Sequence, residues 1–174
     1  MSFGQNFTQE AIDQATMAAP ESFRAEAKVY GYDQDGNFIE LREGSNEMIC
    51  IGDDPTKKGF SVAAYHNSLE PFMARGRELK KQGLSFKEIF DTREKEVKEG
   101  KLDMPARATL FVLSGDFDED GNPVNTHLRY VVYIPYSTSE STGLPTGPIS
   151  PGGPWIMDPG THRAHIMITP PRKE

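Results

Sequence analysis

The chain has 174 residues with a net charge of −7 and no basic stripe, so it has no means of exchanging phosphate counterions and nucleic acid is excluded as a partner. The same charge disfavours an anionic membrane surface, and no run approaches the 18 apolar residues of a spanning helix. One domain of this length buries roughly 70% of its unfolded surface, and a single cysteine, Cys50, rules out an internal disulfide framework.

In chain order, the first 20 residues lack a basic start and an apolar core, so no signal peptide is expected there. The cytoplasm is the expected compartment, with an exported form left open. Residues 7–18 read as a short helix, with Thr8 as N-cap, Pro20 as stop, and Ile12, Ala15 and Ala19 on one face. Residues 1–20 and 170–174 are expected to be loose. A hairpin follows over 25–42, turning at 33–37. A strand is expected at 47–51, and 60–65 reads as strand or lead-in. Two helices come next. The first covers about 68–82, with Ser68 as N-cap and Leu69, Phe72, Met73, Gly76 and Leu79 on one face. The second covers about 86–99, opened by the Ser85/Glu88 capping box. Phe86, Ile89, Phe90 and Val97 form its apolar face, and residues 93–99 otherwise read as a solvated charged surface. The second half is β-rich, with strands at 108–113, 127–134, 155–157 and 164–168. On 127–134, Leu128, Tyr130, Val132 and Ile134 share one side. The expected fold is α+β: a mainly antiparallel sheet of six or seven strands in one domain, with the helical hairpin packed on it.

Residues 135–154 form a long Ser/Thr/Gly/Pro loop, a length that usually marks either function or disorder. Its hydroxyls, Ser141 and Thr142 among them, and its glycines can present donors to a ligand. It contains no Gly-x-Ser-x-Gly elbow, and the chain has no phosphate-binding glycine motif. The acidic run at 116–122 resembles half of a calcium loop, but position twelve is His127 rather than Glu, so it reads as a turn. Among four histidines, His162 beside Arg163 reads as an exposed turn residue. His165 alternates against Ala164, Ile166 and Ile168 and reads as a core-edge residue. His66 and Glu70 stand four apart around the first helix's start. With His165 they are the candidate acid–base or metal-ligating set, although no HExxH motif supports a metal. Arg75 is a candidate carboxylate or phosphate clamp, or else a surface partner of Glu70 or Glu78. Trp155 reads as core anchor or stacking platform.

The segment GPWIMDPGTHRAHIMI, residues 153–168, resembles the closing segment of a group of uncharacterised bacterial proteins. Asp53-Asp54-Pro55, Tyr65-His66 and Leu69-Glu70-Pro71-Phe72-Met73 are similar as well. Some members of that group are exported and carry further cysteines. The resemblance implies no activity and no cofactor. It directs attention to His66, Glu70, Trp155 and His165.

Three functional expectations follow. The first is a domain binding a small polar or anionic ligand near the 135–154 loop, through His66, Glu70, Arg75, Tyr136, Ser141, Thr142, Trp155 and His165. The second is a metal-assisted hydrolase or oxidoreductase using His66, Glu70 and His165, with Tyr136 or Ser141 assisting. The third is a structural or interaction domain whose loop forms a docking or homo-oligomer surface.

Overall fold

The structure, a computed structural model, describes residues 9–172. The expected cap at Thr8 and the last two residues of the tail lie outside that range. The described chain divides into two compact units: residues 9–65 with 111–128, and residues 66–110 with 129–172. The strands hydrogen-bond in the order β2-β1-β3-β4-β5-β6-β8-β7. They are β1 (Lys28–Tyr32), β2 (Phe38–Arg42), β3 (Met48–Ile51), β4 (Phe60–His66), β5 (Ala108–Phe117), β6 (Pro123–Tyr133), β7 (Trp155–Met157) and β8 (His165–Ile168). The fold is α+β, with eight strands rather than six or seven. Residues 60–65 belong to a full strand, with Phe60, Val62 and Ala64 buried and Ser61 exposed, the alternation of a half-buried strand.

In the first unit, α1 (Gln9–Ala15) turns Ile12 and Ala15 into the core. There they join Ala18, Ala19, Val29, Cys50, Phe60, Val62 and Leu113. Burial pushes the Cys50 thiol up to about 12, so it is no nucleophile at neutral pH. A short helix, α2 (Glu21–Arg24), follows. The β1–β2 hairpin is antiparallel, while β1 and β3 pair in parallel. The two Asp-x-Asp-Gly-Asn segments, at 33–37 and 118–122, are equivalent hairpin turns. Asp33 accepts from the amides of Asp35 and Asn37, and Asp118 from those of Asp120 and Asn122. Gly36 and Gly121 take positive φ in these turns, which glycine adopts without a steric penalty.

In the second unit, a 3-10 turn (Asn67–Leu69) leads into α3 (Glu70–Lys81), and α4 (Phe86–Lys98) follows. The expected Ser68 cap is replaced by His66, whose ring accepts from the Ser68 amide. Pro71 sits in the first turn of α3, where its missing N–H forfeits no helical bond. Ser85 and Glu88 form the full capping box of α4. Phe86, expected on the buried face, is exposed, whereas Arg93, expected in solvent, is buried. β6 pairs antiparallel with β8, Tyr130 opposite Ile168 and Tyr133 opposite His165, and β7 pairs with β8. On β6 it is Val131 and Tyr133 that are buried, while Tyr130 is exposed. Val132 and Ile134 pack with Ile156 and Ala164 in a smaller cluster.

Gly44 holds the return from β2 against β1. A Cβ there would fall on the backbone of Lys28 and Ala27, whereas one at Gly147 would meet nothing. Gly44→Ala is expected to destabilise by about 1–3 kcal/mol, and Gly147→Ala to stay within about 0.5 kcal/mol. Urea denaturation of both variants checks this, and equal midpoints would contradict the tight approach at Gly44.

Candidate functional site

The residues expected to form a site are distributed among separate structural tasks. Arg75 is clamped by Glu96, with bonds of 2.6 and 2.9 Å, and by Glu78 at 2.7 Å, so it is not a free anion clamp. Glu70 is paired with Arg77 at 2.5 Å. His66 caps the turn before α3, its Nδ1 lying 2.8 Å from the Ser68 hydroxyl. Ser141 and Thr142 lie in a four-residue helix, α5 (Ser139–Thr142). The Ser141 hydroxyl bonds with the amide and carbonyl of Thr138, and that of Thr142 donates to the Thr138 carbonyl. The loop hydroxyls therefore serve the loop itself. Trp155, half-buried, stands opposite Met167 in the β7–β8 ladder. Among the described residues, no group of three or more His, Cys, Asp or Glu is placed to hold a metal ion. His66, Glu70 and His165 accordingly form no such group.

Polar groups converge elsewhere, between α4 and the turn joining β7 to β8. His162, expected in solvent, is completely buried. Glu94 of α4 accepts its backbone N–H at 2.8 Å and lies against its ring Nδ1. Lys98, one turn along, contacts the other Glu94 oxygen at 2.6 Å. Burial works to raise the Glu94 carboxyl, but the bonds from Lys98 and from the backbone and ring of His162 outweigh it and hold it low. Phe72 and Phe90 flank the imidazole edge-on, with centroids 5.5 and 4.7 Å away. The imidazole Nε2 is buried with no hydrogen-bond partner among the described residues.

The turn that delivers His162 is tied down on both sides. The Tyr136 amide donates to the Thr161 carbonyl at 2.7 Å, and the Gly160 amide to the Ser137 carbonyl at 2.8 Å. Tyr136 and Asp158 take φ of +62° and +51°, conformations that cost non-glycine residues about 1–3 kcal/mol each. Tyr136 is half-exposed and within electrostatic reach of Glu94 and Lys98. His165 is buried as expected, with one bond of 2.7 Å from its Nδ1 to the Arg163 carbonyl and its ring beside Tyr133.

Arg93 completes the group. It lies three residues after Phe90 and four before Val97, on the apolar stripe of α4. That phase, rather than residue type, was the signal for its burial. Gly76 on α3 makes room for it, since a Cβ there would stand 2.9 Å from Arg93 Nη1. The guanidinium lies over Phe72, 3.9 Å from the ring centroid, and Nη1 donates to the Phe72 carbonyl at 3.2 Å. Among the described residues its Nε has no hydrogen-bond partner and no carboxylate pairs with it. Burial pulls its pKa down to about 10. Arg163, also within electrostatic reach, meets Asp158 only at 3.6 Å.

In the first unit a shallow open cleft of about 200 Å³ is lined by Tyr32, Leu41, Asp53 and Phe117 among others. None of the residues expected to form a site lines it. No family model matches the chain, and no curated protein and no solved structure matches it.

Burial lowers the pKa of both His162 and His165. A histidine depressed in the folded state binds its proton more readily when unfolded. Its stabilisation is therefore complete above about pH 6.5 and is lost as pH falls from there through the folded-state value. Urea midpoints are expected to hold level from about pH 7 to 8 and to fall between about pH 6.5 and 5. A level profile across the lower interval would show that these histidines are not held neutral.

Proposed function

We propose that the second unit is a binding module for a small anion, with Arg93 as the counter-charge. The observation that carries this reading is a guanidinium only 9% exposed, without a carboxylate partner and with an unused donor. Arginine is almost never buried to this degree unless it is paired, and an unpaired buried charge costs several kcal/mol. The local balance points the same way. Arg93 lies within electrostatic reach of Arg163 and of the His162 ring, while Glu94 and Asp158 are already in contact with Lys98 and Arg163, inside a chain whose net charge is −7. A carboxylate or phosphate would supply the missing charge and accept from the guanidinium fork. This keeps the small-anion class expected from the sequence and moves its anchor from Arg75 to Arg93.

A second reading, acid–base catalysis, is supported by the His162–Glu94 pair. A carboxylate on Nδ1 orients the ring and leaves Nε2 as the base. It shifts the acid–base role from His66, Glu70 and His165 to His162 and Glu94.

The test is thermal unfolding at constant ionic strength with acetate, phosphate, sulfate and citrate, on the unaltered chain and on Arg93→Met. An anion at a hundred times its Kd stabilises by about 2.7 kcal/mol, roughly 5–10 °C for this length. The shift is expected to disappear in Arg93→Met, and that variant alone is expected to be as stable as the parent or more so, since an unpaired buried charge has been removed. If Arg93→Met instead loses more than about 1 kcal/mol and no anion shifts the parent, the arginine is packing against Phe72 and nothing more.

A further inference from the structure

The two buried side-chain atoms without partners among the described residues are of opposite kind. Arg93 Nε is a donor, and arginine has no acceptor to offer. His162 Nε2 is an acceptor, for the following reason. Glu94 is ionised, held so by Lys98 and by the His162 amide, and an ionised carboxylate only accepts. The imidazole proton therefore sits on Nδ1, facing Glu94, and Nε2 presents a lone pair. Burial keeps the ring neutral. Both groups border the Phe72 ring, Arg93 over its face and His162 at 5.5 Å between centroids, and the two interact electrostatically. His162 is 0% exposed and Arg93 9%, so bulk water satisfies neither atom.

We infer that the anion this site selects carries its own donor hydrogen: a hydroxycarboxylate or a hydrogen-bearing oxyanion such as hydrogen phosphate. This rests on the anion-binding reading and narrows it. A plain carboxylate or sulfate accepts from Arg93 but offers nothing to His162, and sets its negative oxygens against the Nε2 lone pair. An anion with an O–H answers both groups at once, through charge at the guanidinium and a proton at the imidazole. A site built around a buried acceptor discriminates strongly against a ligand lacking the donor, because that acceptor is then left unpaired.

The experiment compares matched pairs by calorimetry at pH 7.5: glycolate with acetate, lactate with propionate, and hydrogen phosphate with sulfate. The expected result is that the hydrogen-bearing member of at least one pair binds about tenfold tighter or more. The pair that discriminates separates an organic acid from phosphate as the source. Nitrogen-15 NMR of the unliganded chain is expected to show His162 as the Nδ1–H tautomer, with Nε2 moving on binding. In Glu94→Gln the amide can donate to Nδ1 and turn the tautomer over, so the preference is expected to vanish or invert. Equal binding within every pair overturns the inference and leaves the anion site standing. No binding by any of the six anions overturns both. An Nε2–H tautomer in the unaltered protein overturns the inference even if Glu94→Gln does not fold.

Discussion

Glu94 accepting twice from one residue is the constraint on which the second unit depends. The bond to the His162 amide fixes where the chain passes, and the contact with the ring fixes how the imidazole is turned. With both in place, the turn between β7 and β8 is docked on α4, and its internal bonds hold Tyr136 and Asp158 in conformations they would not choose alone. The geometry begins further up the chain. The Ser85–Glu88 capping box starts α4 at a defined residue, and a helix advancing about 100° per residue then presents Arg93 and Glu94 on adjoining faces. One points inward over Phe72 and the other towards the turn.

That phase also explains why Arg93 is left without a counter-ion in a helix rich in glutamate. The only acidic residue one turn away is Glu96, and it is taken by Arg75 from α3. Arg77 is matched by Glu70 in the same way. Every arginine of α3 is thus neutralised at the half-exposed surface of the helical hairpin, where such pairs contribute little to stability. The arginine of α4 is buried and unmatched, where the electrostatic consequence is greatest. Gly76 opposite its guanidinium, in a helix where Ala would be preferred by about 1 kcal/mol, indicates that the space is kept for it.

The architecture was legible because it rests on periodicity and turn chemistry. The hairpin turns at Asp33 and Asp118, the Ser85 capping box and the closing β7–β8 hairpin all follow from local rules. The site was less legible, because its members were judged by residue type. His162 looked exposed since it neighbours Arg163 in a Gly-Thr turn. Its burial is imposed by Glu94, 68 residues earlier in the chain, and no local pattern encodes that. Arg93 reads as solvent-facing when grouped with its charged neighbours, although its spacing from Phe90 and Val97 puts it on the apolar stripe. Phe86, on that same stripe, ended outside. Helical phase therefore located the arginine where composition did not, and it failed at the helix end, where the stripe outruns the surface it packs on.

The contrast between the two candidate regions rests on satisfaction of polar groups. The long loop carries many hydroxyls, and a count of donors favours it as a binding surface. Yet Thr138, Ser141 and Thr142 complete one another's bonds within a single capped turn, and the Ser139 hydroxyl donates to the Leu144 carbonyl. A ligand arriving there would have to break those bonds before making its own, and the exchange yields little net free energy. At Arg93 Nε and His162 Nε2, among the described residues, no hydrogen bond has to be broken. The donor and the acceptor are already desolvated and turned to fixed directions by Phe72, Gly76 and Glu94, so the cost of arranging them is met when the chain folds. Preorganisation of this kind, rather than the number of polar groups, is what lets a small site bind. We therefore place the proposed ligand at the unpaired charge of the helical hairpin and not at the hydroxyl-rich loop.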